Sequence, residues 1–310
     1  MAYYRLSKVV KMRREALECN RDEFDVEGPA GMTVYRMEEG KHKTSEKTYR
    51  RLTRAMGMEE STGQGMLKTN DLDVLHLVNE ITHCFQKKDY DAAENMIAQL
   101  ENSLDDKEFK NKQYLDYKKL NLHYRAGKLR DEEYEYKLKE ILSGKKLGAD
   151  EKISRKWPFT QEEWKMLLDL AEVIRSRKQY EQQETLLECL LAIMDEGYME
   201  SEYRVGYLMS LRWRMGDVLG NVKEHRRAIE IDEKTIEMCE AEWEIRCMAE
   251  VYYDIFWNYW MIKKKETLTE LEEERCRECL LKAYYINQAL FPSKELYKKR
   301  LQECYPEELV

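Results

Sequence analysis

Apolar side chains recur at intervals of three and four residues along most of this 310-residue chain, and short polar turns interrupt them at similar distances. The chain contains only 4 Pro and 13 Gly, whereas strong helix formers such as Leu, Glu, Lys and Met are frequent. Because Pro ends helices and Gly weakens them, this composition permits many long helices. The pattern therefore predicts an all-α protein built largely from pairs of helices.

Residues 71–310 are predicted to form about five helical hairpins, each with a polar turn between its two helices. The turns lie near residues 88–90, 127–129, 177–180, 221–225 and 263–269. Their spacing of about 39, 51, 45 and 44 residues is longer and less regular than that of a standard tetratricopeptide repeat, but the plan is similar. Such hairpins stack into an α-solenoid because no single pair can bury its apolar face. The resemblance implies a concave surface that binds a peptide or protein segment.

The clearest predicted helix begins after Pro158. Thr160 and Glu163 have the spacing of a capping box, in which each side chain binds the other residue's backbone N–H. Trp164, Leu167 and Ala171 then follow at helical spacing and predict one buried face.

The first 57 residues differ in charge from the rest of the chain. They carry 13 Lys and Arg against 9 Asp and Glu, a net charge of +4, whereas the remainder carries −12. A basic head on an acidic body suits a nucleic-acid-binding module, although a small domain can also reach +4 by chance. Residues 58–70 contain two Gly and several small polar residues, which is typical of a linker. We therefore predict domains at residues 1–57 and 71–310.

Short helical segments are predicted within the head. Their inward-facing and capping residues are Leu6, Val9, Val10 and Leu17, then Asn20 and Glu23, then Val34 and Met37, and finally Thr44, Ser45, Tyr49, Leu52, Ala55 and Met56. The run from Val34 to Gly40 and the helix that ends at Met56 and Gly57 carry a resemblance to the lambda-repressor-like helix-turn-helix domain of the bacterial XRE family. In that family the third helix lies in the major groove of DNA.

The resemblance to the XRE family implies a set of DNA-binding residues. Gly31, Met32 and Arg36 match its base-facing positions, and Arg36 has the donors for a bidentate contact to guanine. The neighbouring residues expected to contact the groove or the phosphates are Thr33, Tyr35, Lys41 and Lys43, with His42 between the lysines. The alternative is an exposed helix face and loop without a ligand.

Asparagine and aromatic residues are the candidates for peptide contacts in the repeat domain. An Asn amide can pair with both the N–H and the C=O of a peptide backbone. The candidates are Asn121, Asn221, Tyr253, Trp257, Asn258 and Asn287. The alternative for each is ordinary packing or exposure to solvent.

The sequence contains no recognisable motif of an enzyme active site. The chain contains no Walker loop, dinucleotide-type glycine motif, nucleophile elbow or kinase signature. Cys276 and Cys279 form a lone CxxC, without the second pair that a structural zinc requires. Eight scattered Cys and the absence of a long apolar run indicate a reducing environment and no membrane span. We expect a cytoplasmic protein that is not an enzyme and needs no cofactor or metal.

The order of the two parts resembles the peptide-sensing quorum regulators of Gram-positive bacteria, of the Rgg and PlcR type. The resemblance implies a homodimer that binds double-stranded DNA and a short peptide, and in which the peptide repositions the DNA-binding heads. The run from Phe24 to Thr33 departs from the XRE pattern, with a shortened second helix and an apolar start to the third. An alternative is therefore an interaction scaffold with a helix-turn-helix that does not bind DNA. A regulator without a peptide ligand is a third hypothesis.

Overall fold

The computed structural model is almost entirely helical in the part of the chain that it describes. The described residues are 6–24, 31–39, 41, 45–56, 67, 72–104, 109–142, 159–195, 201–242, 245, 247–290 and 295–309. Within them, every regular element is an α-helix or a short 3-10 helix. This confirms the predicted all-α class.

Fourteen α-helices and two short 3-10 helices follow one another in the described residues. In the head they are α1 (Leu6–Ala16), a 3-10 turn (Arg21–Phe24), α2 (Gly31–Glu38) and α3 (Glu46–Ala55). The others are α4 (Leu72–Lys87), α5 (Tyr90–Ser103), α6 (Phe109–Arg125), α7 (Asp131–Leu142), α8 (Gln161–Ser176), α9 (Tyr180–Asp195), α10 (Ser201–Asn221), α11 (His225–Ala241), α12 (Met248–Lys263), α13 (Glu270–Leu290) and α14 (Leu296–Cys304), with a 3-10 turn at Pro306–Leu309. None of the described helices is long and apolar enough to cross a bilayer.

The head is held by a small apolar core. Its fully or almost fully buried members are Val10, Met12, Val34, Met37, Leu52 and Met56. Ser45 caps α3 as predicted, because its Oγ accepts the backbone N–H of Thr48 at 3.2 Å. The prediction that Leu17 faces inward is wrong: α1 ends at Ala16, and 37% of Leu17 is exposed in the turn that follows.

The predicted second helix of the head is a single 3-10 turn in the described residues, and residues 25–30 lie outside them. One half of the predicted capping interaction is present, since the backbone N–H of Asn20 donates to Glu23 Oε1 at 3.0 Å. This bond from the Asn20 backbone N–H is the main cause of the lowered pKa of Glu23. Most of the predicted departure from the XRE pattern, between Phe24 and Thr33, therefore lies outside the described residues.

Four of the five turns inside the helical hairpins share one backbone geometry. Lys88, Lys178 and Lys223 adopt positive φ angles of 60, 58 and 72°, and Gly127 takes the same conformation at 71°. At three of these turns the following N–H reaches back five residues, as where Glu224 donates to Leu219 O at 2.8 Å. This bond satisfies a carbonyl that the helix end would leave unpaired. All five predicted turn positions are confirmed.

The chain divides into two compact units. One comprises Met1–Arg177 with Gly197–Glu200, and the other comprises Lys178–Glu196 with Ser201–Val310. In the first unit α4 to α8 each pack on the next helix, and in the second unit α9 to α13 do the same, followed by α14. The division into head, linker and repeat domain at residues 57 and 70 stays a prediction.

The predicted start of α8 is confirmed in detail. Thr160 N–H donates to Glu163 Oε2 at 2.6 Å, and Glu163 N–H donates to Thr160 Oγ1 at 3.3 Å. Trp164, Leu167 and Ala171 are then completely buried. Because both bonds satisfy N–H groups at the helix start, this capping box fixes the point at which α8 begins.

Candidate functional site

Helix α2 has one buried face and one exposed face. Val34, Met37 and Glu38 are buried, whereas Met32 is 60% exposed and Tyr35 is 37% exposed. Arg36 is also exposed and follows the same side of the helix, because residues three and four apart share a face. An apolar, an aromatic and a cationic side chain are therefore presented together to solvent.

Two further cations lie beside this exposed face. The guanidinium of Arg21 lies 5.1 Å from the centre of the Tyr35 ring, and the ammonium of Lys41 lies 5.5 Å from it. The Tyr35 ring thus forms cation–π contacts with cations from the two segments that flank α2. We call this surface the α2 face; it consists of Met32, Tyr35 and Arg36 with the adjacent Arg21 and Lys41. Arg21 was missed by sequence reasoning, which found no signal for it.

The other predicted DNA-binding residues lie differently. Thr33 is half-buried beside the α2 face, and Lys43 and His42 lie outside the described residues. Gly31 is buried, and a Cβ placed on it would lie 1.7 Å from Asp22 Oδ1. The prediction that Gly31 faces a DNA base is therefore corrected: Gly31 lets α2 begin against the preceding 3-10 turn.

A buried carboxylate connects α1, the 3-10 turn and α2. Glu38 Oε1 accepts from Arg14 Nε at 2.5 Å, and Glu38 Oε2 accepts from Arg21 Nε at 2.8 Å. The Glu38 side chain is only 1% exposed. The hydrogen bond between Arg14 and Glu38 is the main cause of the raised pKa of Arg14. Since Arg21 also covers Tyr35, the ion pair links the head's interior to the α2 face.

Replacing Glu38 with Gln should loosen this connection. The variant Glu38→Gln leaves two arginines beside a neutral group, and we expect the head to lose about 2 kcal/mol of stability. This loss is smaller than for a fully buried ion pair, because the Arg21 side chain reaches solvent. Amide hydrogen exchange of α1 and α2 measures the loss. Glu39→Gln is the matched control, because exposed Glu39 forms only a 3.7 Å contact with Lys41. Equal exchange in both variants would contradict the role of Glu38.

In the first unit, a network on α6, α7 and α8 centres on Asp169. Its Oδ2 accepts from Tyr117 Oη at 2.8 Å, Asn121 Nδ2 at 2.7 Å and Tyr134 Oη at 2.9 Å. The ring of Tyr134 stacks on Tyr124 with centroids 3.9 Å apart. Burial is the main cause of the raised pKa of Tyr117 and of Tyr134. Asn121, predicted to contact a peptide, therefore uses its amide donor inside the protein.

A partly buried lysine lies one turn before Asn121 on the same helix. The ammonium of Lys118 lies 5.2 Å from the centre of the Tyr114 ring, 5.6 Å from Tyr117 and 5.8 Å from Phe85. Burial lowers the pKa of Lys118 to about 8. Sequence reasoning missed Lys118, because nothing in the pattern distinguishes it from the exposed lysines around it.

In the second unit, aromatic and charged side chains follow one stripe of α12. Tyr253 packs on Tyr297 with ring centroids 5.1 Å apart. Trp257 lies between Lys264 and Arg300, whose charged ends are 5.7 and 5.6 Å from its ring centre. The predicted pair Tyr253 and Trp257 is therefore brought to one half-buried surface.

The remaining predicted asparagines do not join that surface. Asn258 is buried, where its Oδ1 accepts from His225 Nδ1 at 2.9 Å and its Nδ2 donates to Asp254 O at 2.8 Å. Asn287 is 1% exposed, and exposed Asn221 donates to Asp217 O of its own helix at 2.8 Å. The prediction of peptide contacts by Asn258 and Asn287 is corrected, because helix packing covers both amides. Asn121 belongs to the first unit.

All eight cysteines are free thiols, and four of them are buried. Cys276 and Cys279 are fully buried, and burial raises their pKa values to about 11 and about 12. Protonated thiols of this kind are poor metal ligands. Among the described residues, no group of three or more His, Cys, Asp or Glu side chains is placed to hold a metal ion.

Comparison with known proteins finds likeness in structure rather than in sequence. No protein-family model matches the chain, and no curated protein sequence matches it significantly. The crystal structure of Bacillus thuringiensis PlcR in complex with the peptide PapR7 and DNA is 15% identical, with 96% of this chain and 99% of that chain covered and a TM-score of 0.58. PlcR in its apo form is 14% identical over the same shares, with a TM-score of 0.58. The predicted resemblance is thus confirmed at the level of the fold: this chain has a PlcR-like fold.

Proposed function

We propose that the protein is a DNA-binding transcriptional regulator whose repeat domain binds a short peptide. The observation that carries this proposal is the α2 face, which exposes Met32, Tyr35 and Arg36 next to two further cations. The α2 face belongs to a chain with the fold of PlcR, a protein crystallised with a peptide and DNA. The same fold supports a homodimer, in which two heads bind two half-sites.

The chemistry of the α2 face suits double-stranded DNA. Arg36 has the planar donors that pair with O6 and N7 of guanine, and Met32 offers an apolar contact to a thymine methyl group. Arg21 and Lys41, at the edge of the face, are placed to neutralise phosphates. Thr33 and Lys43 remain proposed contacts. Binding should weaken steeply as salt concentration rises, because each neutralised phosphate releases counterions.

The repeat domain offers two proposed ligand surfaces. One includes Lys118 and the Asp169 network in the first unit, and the other is the α12 stripe with Tyr253 and Trp257 in the second. A peptide regulates DNA binding only if it prefers one of two arrangements of the heads. We infer that the cytoplasm, where a re-imported peptide meets DNA, is where the protein acts.

Removing Arg36 should reduce sequence-specific DNA binding. We expect Arg36→Ala to weaken binding to a duplex from the gene's own upstream region by about 1–3 kcal/mol and to reduce discrimination at one base pair. A gel shift at low and moderate salt measures both effects. Lys11→Ala is the control, since Lys11 is a partly exposed cation of α1 that contacts Glu15; it should weaken binding to all duplexes equally. Unchanged binding by Arg36→Ala, or no binding by the parent at low salt, would refute DNA reading.

An interaction scaffold is the second candidate function. The buried Gly31 favours it, because a residue predicted to face a DNA base is instead packed against Asp22 inside the head. A purified protein that has no affinity for any duplex, but captures one defined protein through its repeat domain, would support the scaffold over the regulator.

A further inference from the structure

We propose that Tyr114 and Lys118, beside Glu162, form a subsite that binds a carboxylate group of the ligand. The inference rests on the proposed function, because it names the chemistry that the first unit would recognise in a peptide. The three residues belong to α6 and α8. Tyr114 and Glu162 are 1% and 3% exposed, so they form a buried floor beside the partly buried Lys118.

Each of the three side chains has unused polar capacity. The Tyr114 hydroxyl is buried without a hydrogen-bond partner, and Glu162 Oε1 is buried without one as well. Lys118 contacts three aromatic rings, and it forms no ion pair with any residue that the structure describes. Buried polar groups in proteins are almost always hydrogen-bonded, so the unpartnered Tyr114 hydroxyl indicates a missing acceptor.

The balance of donors and charges favours an anion as that partner. Lys118 and the Tyr114 hydroxyl are both donors, and nearby Arg125 holds its guanidinium 5.6 Å from the centre of the Phe85 ring. The negative charge of Asp169 is already taken up by three donors. Burial raises the pKa of Glu162, which reduces its repulsion of an incoming carboxylate. Lys165, 3.9 Å from Glu162 Oε1, adds a further positive charge at the edge.

A carboxylate at this place would couple binding to protonation. Because the pKa of Lys118 is lowered to about 8, part of its amine is neutral in mildly alkaline solution. The carboxylate favours the ammonium form, so binding takes up a proton and weakens as the pH rises above 8. The titratable and charged groups that face Lys118 are Lys165, Glu162 and Asp169 from α8 and Arg125 from α6.

The test follows the Lys118 side chain by NMR in the full chain labelled with ¹³C-lysine, its signal assigned through Lys118→Arg. The probes are N-acetyl-trialanine with a free carboxylate, its C-terminal amide, and an amidated N-acetyl tripeptide with a central glutamate. We expect the two carboxylate probes to shift the Lys118 signal saturably and to raise its pKa, and the neutral amide to do neither. The stronger of the two carboxylate probes tells whether the subsite prefers a peptide terminus or an acidic side chain.

Variants decide whether Lys118 itself binds the probe. Lys118→Gln should weaken binding of the carboxylate probes at least about tenfold, as when a charge-assisted hydrogen bond is removed. Lys119→Gln is the matched control, because exposed Lys119 pairs with Glu101 at 2.6 Å; it should bind as the parent does. Equal shifts from acid and amide, or unchanged affinity in Lys118→Gln, would overturn the subsite. These readouts need neither DNA nor the natural peptide, so a failure of DNA binding leaves their result intact.

Discussion

Replacing Asp232 with Asn should stabilise the second unit at neutral pH by about 3 kcal/mol, because folding then no longer requires a carboxylate to take up a proton on burial. Asp232 lies on α11 and is completely buried, and neither of its carboxylate oxygens has a hydrogen-bond partner. A Cβ on Gly216 of α10 would lie 2.1 Å from Asp232 Oδ1, so the carboxyl group fits only because that position is glycine.

The environment of Asp232 disfavours its charged form. Burial is the main reason why its pKa lies well above the ordinary value, and the negative charges of Asp254 on α12, Asp217 on α10 and Glu233 on α11 add to the effect. The folded protein therefore keeps a proton on Asp232 that the unfolded chain releases near pH 4. Below pH 4 both states are protonated, and Asp232 costs nothing through ionisation.

The pH dependence follows from this difference in proton binding. As the pH rises above the unfolded pKa, stability falls by about 1.4 kcal/mol per pH unit until the folded pKa is reached. Asn cannot ionise, so Asp232→Asn loses no stability across that window. The advantage of the variant should therefore be absent near pH 4 and grow toward neutral pH.

Urea denaturation of the full chain at several pH values between 4 and 8 measures this effect. Glu230→Gln is the control, because Glu230 is exposed on the same helix and pairs only with Lys234. The pKa of Glu230 is lowered mainly by its hydrogen bond with Lys234. Replacing Glu230 with Gln should therefore decrease the stability at neutral pH, and only slightly. A pH-independent gain in Asp232→Asn would show that folding does not shift the pKa of Asp232, and a loss of stability would show that Asp232 is ionised and paired in the folded state.

Helices and turns were predictable from sequence because their signals are local. The capping box of Thr160 and Glu163 and the turn at Gly127 each depend on residues within one helical turn. The left-handed residues at Lys88, Lys178 and Lys223 were not foreseeable, since lysine does not mark that conformation. There the flanking helices impose a geometry that only glycine adopts readily.

The candidate sites were less predictable because they depend on contacts between distant residues. Tyr35, Arg36 and Met32 were found through helical spacing, but Arg21 reaches Tyr35 from another segment. The asparagines were chosen for their chemistry, yet burial decides whether an amide is free for a ligand. For Asn258 that outcome depends on His225, 33 residues away, which no local pattern reveals.

Replacing Asp169 with Ala should destabilise the first unit by about 3–4 kcal/mol, because several buried donors lose their acceptor together. Tyr117, Asn121 and Tyr134 all donate to the same oxygen, and all three residues are less than 9% exposed. The control is Glu172→Ala, which removes an exposed carboxylate from the same helix that pairs with Arg175. The Tm of Asp169→Ala should lie clearly below that of Glu172→Ala, and similar Tm values for the two variants would refute the role of the network.

The same network determines how Asn121 is to be interpreted. If its amide serves packing, Asn121→Ala should cost about 1–2 kcal/mol alone and much less when Asp169 is already Ala, because the two changes remove one shared interaction. If Asn121 contacts a peptide instead, the variant should unfold like the parent and lose ligand affinity. A double-mutant cycle for stability, with peptide binding measured on the same proteins, separates these outcomes. We expect strong coupling, since Asn121 Nδ2 lies 2.7 Å from Asp169 Oδ2 and 3.1 Å from Tyr134 Oη.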